Sequence, residues 1–433
     1  MRYRLTDLPA LLATPVGREQ LRRGVLYRAW PLTSRAARLH RATLARRTRV
    51  VAVVGSYGKS TTTRAIAAAL ALPDRPALLA NAFSSVARAV LRIAPAQPHA
   101  VIEVGIARPG EMRQYAGIVG PDVAVVTSIG SEHHRSLGTL ESTRDEKAWM
   151  VRALPASGIA VLNGDDPNVT WMRGETRARV VTFGFGEHCD VRARDLRIDW
   201  PQGSCFDLTA FDATRAGVRV RLIGREMVAA ALAAIAVARC EGVALDVALA
   251  RLAELAPTEG RMEPVALGND ITLLRDDYKG GIETIEAALR AFGRIPATRR
   301  ILVLGDITEP PPQQRLAYRA VAAQAATVAS LIVVVGSMYD AYLVGARRAG
   351  MPKEAIIDGG KTTATAAAAL APLLREGDVV LIKGRGTQML DRIRLILQGR
   401  VVRCDITVCK LRGKQCDACP MLERGWGSHR VIT

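Results

Sequence analysis

Residues 50–70 read VVAVVGSYGKSTTTRAIAAAL, and this stretch constrains the chain more than any other. The run Val50 to Val54 is almost wholly β-branched and reads as a buried strand. Gly55 and Gly58 then allow a turn whose backbone N–H groups can approach an anion closely. The Ala-rich helix that starts near Ser60 brings its positive N-terminal end to the same place. Lys59 would reach the β- and γ-phosphates, and the Ser60 or Thr61 hydroxyl would ligate Mg²⁺. An ordinary βα turn is the plainer alternative, and Val53 stands where the longer phosphate-loop pattern has its first glycine. Strand, glycines, lysine, hydroxyls and helix all fall in order, so the chain is expected to bind a nucleoside triphosphate.

What surrounds this loop must be a sizeable α/β protein. The 433 residues are 49% hydrophobic but only 4% aromatic, so two or three domains must be filled with Ala, Val, Leu and Ile. No run approaches the ~18 apolar residues of a membrane-spanning helix, and charges and prolines interrupt the first seventeen residues. A cytoplasmic protein is expected. The net charge of +19 is unevenly placed: residues 1–49 hold twelve Arg against Asp7 and Glu19, with leucines interleaved. Solvated helices are the plain reading of this basic amphipathic segment. Contact with an anionic membrane surface, at the inner face of the membrane, is the functional one. Nucleic acid is not expected, since no aromatic-rich recognition element accompanies the charge.

The pattern along the chain gives four segments: 1–49, basic and helical; 50–260, ATP-binding; 261–400, a second α/β unit of Rossmann type; and 401–433, a Cys-rich tail. In the second segment, strands are expected at 50–54, 100–104, 122–127 and 158–162, alternating with helices as in a parallel sheet. Short β-like runs follow over 179–223, then an Ala-rich helix over 227–239. In the third segment, strands are expected at 271–274, 301–304, 331–335 and 379–382.

Five further segments follow the loop: NAFSSVARAVL (81–91), VIEVGIARPGEM (101–112), TSIGSEHHRSLGTLESTRDEK (127–147) with AVLNGDDP (160–167), LVLGDITE (302–309) and VVLIKGRG (379–386). In order and spacing they resemble the Mur ligases, ATP-dependent amide-bond-forming enzymes of peptidoglycan synthesis, and most nearly the D-alanyl-D-alanine-adding type. The resemblance implies a central ATPase domain of 50–260 and a Rossmann-like ligase domain of 261–400. It implies that Glu103 and His133 are Mg²⁺ ligands and that Lys147, fourteen residues after His133, is carbamylated into an anionic ligand. A solvated Lys paired along its helix is the plainer reading of Lys147. Asn163 and Arg261 and Asp276 are implied in nucleotide contacts, with Asp277 an alternative to Asp276, and Lys383 near the reacting groups. The family's N-terminal UDP-sugar domain has no counterpart in the 49 residues before the loop. GREMVAAALAA (224–234) carries Glu226, Met227 and Ala230 where the family has His and two Asn that help hold adenine. DDYKGGIET likewise replaces a segment that ends in Asn-Ala-Asn-Pro.

The tail lies outside the resemblance. Cys404, Cys409, Cys416 and Cys419 suit a metal better than disulfides in a cytoplasmic chain, and four thiolates would hold Zn²⁺ or an iron–sulfur cluster. His429 reads as an ordinary tail residue. The whole reads as a carboxylate–amine ligase working through an acyl phosphate and releasing ADP. Its substrates would be small or peptidic acids and amines of cell-wall, polymer or peptide biosynthesis. The rival is a non-catalytic ATP-binding scaffold that such a ligase has become.

Overall fold

The computed structural model describes residues 5–73, 81–409 and 416–426; His429 lies outside them. The chain divides into two compact units, one formed by Leu26–Thr258 and the other by Met1–Val25 together with Glu259–Thr433. Three helices open it: α1 (Leu8–Ala13), α2 (Pro15–Arg28) and α3 (Trp30–Ala42). None of the described helices is long and apolar enough to cross a membrane.

In the first unit, β1 (Arg49–Val54) leads through the glycine turn into α4 (Lys59–Ala69). There follow α5 (Ser84–Leu91), β2 (His99–Glu103), α6 (Glu111–Val119) and β3 (Val123–Val126). After them come α7 (His134–Leu137), α8 (Leu140–Arg152), β4 (Ile159–Asn163) and α9 (Pro167–Thr170). The expected β-like runs are β5 (Arg179–Gly184), β6 (Val191–Asp199), β7 (Gly203–Ala210) and β8 (Ala213–Val220), and α10 (Arg225–Cys240) and α11 (Leu245–Ala253) close the unit. One sheet runs β2-β1-β3-β4-β5-β6-β7-β8. It is parallel through β6 and antiparallel in the meander β6-β7-β8.

This order matters for chemistry. From β1 the chain crosses to β2 on one side and then to β3 on the other, so the carboxyl end of β1 is a topological switch point, where a crevice opens. The strands β1, β3 and β4 are buried on both faces, as their near-continuous Val and Ala require. One apolar layer pairs α4, α10 and α11 with the sheet; the other contains Val86, Met112, Tyr115 and Met150 from α5, α6 and α8. Helix α10 packs against α4 and β5. It is buried nearly all round, with Ala230 to Ala238 almost fully inaccessible, so its alanines set how near it lies to its neighbours.

The second unit holds a sheet of order β13-β12-β11-β14-β10-β9. Its strands are β9 (Glu263–Gly268), β10 (Ile271–Asp276), β11 (Arg299–Leu304), β12 (Leu331–Val334), β13 (Ile356–Asp358) and β14 (Asp378–Lys383). The helices are α12 (Ile282–Phe292), α13 (Gln314–Ala326), α14 (Tyr339–Arg348), α15 (Thr363–Leu370), α16 (Asp391–Leu397) and α17 (Met421–Arg424). Among the described strands of this sheet only β9 runs antiparallel, against β10. Residues 5–25 belong with this unit: Leu11 is fully buried in a cluster with Cys404, Cys409, Met421 and Trp426.

The close approach of α10 sets the first test. Ala234→Leu should force a four-carbon side chain into fully occupied space and destabilise the protein by about 1–3 kcal/mol. A lowered urea midpoint with the secondary structure retained is the expected result; an unchanged midpoint would mean that this layer is loosely packed.

Candidate active site

The glycine turn after β1 has the conformation that its sequence requires. Gly55 has φ +147° and Gly58, the N-cap of α4, φ +84°. A Cβ at Gly55 would stand 2.0 Å from Thr127 Oγ1, so this position admits no side chain. The loop is braced from β3: Ser56 N donates to Ser128 O at 2.8 Å and Tyr57 N to Ser128 Oγ at 2.9 Å. The Thr127 hydroxyl donates to Tyr57 O.

Two lysines meet on this loop. Lys59 Nζ donates to the carbonyls of Gly55 and Ser56, at 2.8 and 2.9 Å, and lies 3.4 Å from Glu132 Oε2. Lys147, only 2% exposed on α8, donates from Nζ to Ser56 Oγ at 2.9 Å. The same hydroxyl accepts from Gly130 N at 2.8 Å. Ser60 and Thr61 follow in the buried first turn of α4, and Thr61 Oγ1 lies 3.8 Å from Met227 Sδ at the start of α10.

The other residues of the first unit sit at the carboxyl ends of neighbouring strands. Glu103 closes β2, is buried, and accepts from Asn81 Nδ2 at 2.6 Å. Asn163 closes β4 and donates to Thr127 O at 2.8 Å. His133 caps α7 with a left-handed φ of +64°, its Nε2 3.9 Å from Glu132 Oε1. Gly55, Gly58, Lys59, Ser60, Thr61, Glu103, His133, Lys147 and Asn163 thus all belong to the carboxyl edge of one sheet or the loops and helices that leave it. Sequence reasoning missed Ser56, Asn81, Thr127 and Glu132. Glu132 adjoins His133 in the SEHH string and could have been found as a carboxylate beside an assigned ligand.

Beyond β4 lies an open cleft of about 620 Å³, lined by Asp165, Thr170, Arg173, His188 and Arg225 among others. Asp165 fixes its wall by accepting from Phe185 N, Gly186 N and Arg225, whose guanidinium lies 3.8 Å over the Phe185 ring.

Arg261, Asp276 and Lys383 belong to the second unit and form a group of their own there. Lys383 Nζ is 2.5 Å from Asp276 Oδ2, and Met262 N donates to Oδ1 of the same carboxylate. Burial presses the Lys383 ammonium below the ordinary lysine value, with Asp276 opposing. The Arg261 guanidinium lies 4.6 Å over the Tyr278 ring. Behind them Arg275 is ringed by Glu259, Glu263, Asp277 and Asp391, at 3.1–3.8 Å. Burial raises the Asp277 carboxyl, against the pull of Arg275.

The expected metal centre in the tail finds no support. Among the described residues no group of three or more His, Cys, Asp or Glu is placed to hold a metal ion. Cys404, Cys409 and Cys416 are buried as apolar groups. Cys404 Sγ accepts from Trp426 Nε1 at 3.1 Å, and Cys416 Sγ accepts from Arg392 Nε at 3.2 Å. Burial drives the Cys416 thiol well above its usual range.

Residues 53–238 match the Mur ligase middle domain and residues 260–386 the Mur ligase, glutamate ligase domain. The UDP-N-acetylmuramoyl-tripeptide–D-alanyl-D-alanine ligase of Mycobacterium bovis is 31% identical over 79% of this chain and 72% of its own length. The crystal structure of MurF from Acinetobacter baumannii superposes with a TM-score of 0.76, over 86% of this chain and 81% of that one, at 24% identity. MurF ligase from Thermotoga maritima, in complex with ADP, gives 0.70, over 86% of this chain and 84% of that one, at 22% identity. The chain belongs to the Mur ligase family. Its class is that of ATP-dependent acid–amino-acid ligases, and this favours an enzyme over the non-catalytic scaffold.

The Arg275 cluster carries a pH dependence. Burial and the neighbouring Asp277 lift Asp391 to about 7. The folded state therefore holds a proton that the unfolded state releases in the ordinary carboxylate range. Stability from this group is full below about pH 4 and is lost as pH rises through about 7. Asp391→Asn should flatten that fall, read as urea midpoints over the same pH window; an unchanged slope would place the titration elsewhere.

Proposed function

We propose that this enzyme joins a carboxylate to an amine by transferring the γ-phosphoryl group of ATP to the acid and letting the amine displace phosphate from the resulting acyl phosphate. The observation that carries this reading is the meeting of Lys59 and Lys147 on Ser56, beside Glu103 at the end of the next strand. The Lys59 cation and the backbone N–H groups that open α4 suit an incoming polyphosphate. Lys59 would leave the loop carbonyls for the transferring phosphoryl group, where charge stabilisation supplies most of the catalysis. Asn163, Arg261 and Asp276 would hold the nucleotide, and Lys383 would sit near the reacting groups.

Ser60, Glu103 and His133 are the residues that would hold Mg²⁺, with Lys147 joining them as a carbamate. The donor set fits the ion: magnesium takes one or two carboxylates together with substrate phosphates and water, and needs no cage of protein ligands. Bound there, it would neutralise charge on the phosphates. Carbamylation would convert the buried Lys147 cation into an acceptor at the position now bonded to Ser56. The relative's printed name supports a peptidic acid and an amine of the D-alanyl-D-alanine kind as substrates. A cytoplasmic setting, at the inner face of a membrane, belongs to the same proposal.

Turnover should require acid and amine together and yield ADP, measured by a coupled ADP assay. Lys59→Ala should lower it about a hundredfold or more; AMP and pyrophosphate as products would reject the mechanism. Lys147→Ala should be nearly inactive and partly recovered by formate or acetate, small anions able to replace a carbamate. Full activity without such an anion would reject the carbamate.

A further inference from the structure

We propose that the outer face of α3 docks the enzyme on an anionic phospholipid surface. This deepens the membrane-side setting given above and is independent of the ligase chemistry. The inner face of the helix is held to its own unit at several points. Trp30 meets the Phe83 and Tyr115 rings edge-on, each with centroids 5.8 Å apart. His40 Nε2 is 2.9 Å from Ile93 O, Arg41 donates to Asp122 at 2.8 Å and to Gly120 O at 2.9 Å, and Ala37 is fully buried. The helix therefore has a fixed outward face.

That face is both apolar and basic. Leu32 and Leu39, two turns apart, are 70% and 66% exposed, and Leu44 just beyond the helix is 60% exposed. Arg35 and Arg38 are exposed on the helix and Arg46 and Arg47 in the turn that follows it, beside Leu44 in sequence, and none has an ion-pair partner among the described residues. No Asp or Glu occurs from Gln20 to Pro73. Water would be the poorer solvent for three leucines left this open on an anchored helix. An acidic polymer would match the arginines and leave the leucines in water. A bilayer interface satisfies both: leucines enter the headgroup–acyl boundary, and arginine stems lie along it with their guanidinium groups at the phosphates. Charge complementarity selects anionic headgroups over zwitterionic ones.

The test is sedimentation of the full chain with vesicles of phosphatidylcholine alone or mixed with phosphatidylglycerol. Binding is expected only to the mixed vesicles, falling as salt is raised. Leu32→Glu with Leu39→Glu should weaken it about tenfold or more, since an apolar contact is lost and like charge is brought to the surface. Arg35→Glu with Arg46→Glu should do the same. These side chains are exposed and lie outside the phosphate site, so thermal unfolding and ADP production in solution should be unchanged. A ligase without activity that still binds these vesicles would leave docking standing. Equal binding to both vesicle types, no binding, or leucine variants that bind as the parent does would overturn the proposal. So would leucine variants that convert a dimer to a monomer without altering sedimentation, or a stronger effect of the arginine changes on nucleic acid than on vesicles.

Discussion

One hydroxyl group holds the candidate site together. Ser56 Oγ accepts from Lys147 Nζ and from Gly130 N, and thereby ties the phosphate loop to α8 and to the loop after β3. Each of these segments leaves a different part of the sheet, and each bond is sheltered from water, where a polar group left unmatched costs about 1–3 kcal/mol. The placement of the catalytic candidates depends on this closure. Lys59 can rest on two loop carbonyls only while the loop keeps its shape, and that shape rests on Ser56 and on Thr127 beneath it.

Much of the fold was legible because its signals are local. The apolar runs at 50–54, 100–104, 122–127 and 158–162 became strands within a residue or two of their expected ends. The parallel sheet followed from the helices between them. Two strands were missed for a physical reason. The β9 segment EPVALG begins with Glu and Pro, and β13 has only three residues, IID. Both are edge strands, whose sequence need not satisfy two neighbours. The packing of Leu11 against the Cys-rich tail was not legible either, because hundreds of residues separate the partners and neither carries a pattern that names the other.

The site shows the same division. Lys59, Glu103 and Lys147 could be marked because each follows a strand or sits at a fixed interval in a motif. Asn81, which holds Glu103, heads a segment marked for its resemblance, but nothing local to it names Glu103 as its partner. The cysteines show the opposite case. Their spacing has the look of a metal site, whereas Cys404 and Cys409 are buried against Leu11, Met421 and Trp426, and Cys416 against Leu395 and Leu422. Spacing along a chain can bring such side chains into one neighbourhood; it does not decide that they are placed around a metal ion.

The alanines of α10 have a bearing on motion. A methyl group has no rotamers to lose on folding and none to change afterwards. Six buried alanines of α10 thus have nothing to rearrange, and only Val228, Leu232, Ile235 and Val237 among its buried side chains have rotamers, so α10 has few ways to repack between α4 and the sheet. Movement on nucleotide binding would then fall to segments other than this helix layer. The phosphate site is thus backed by a helix layer that offers little room for rearrangement.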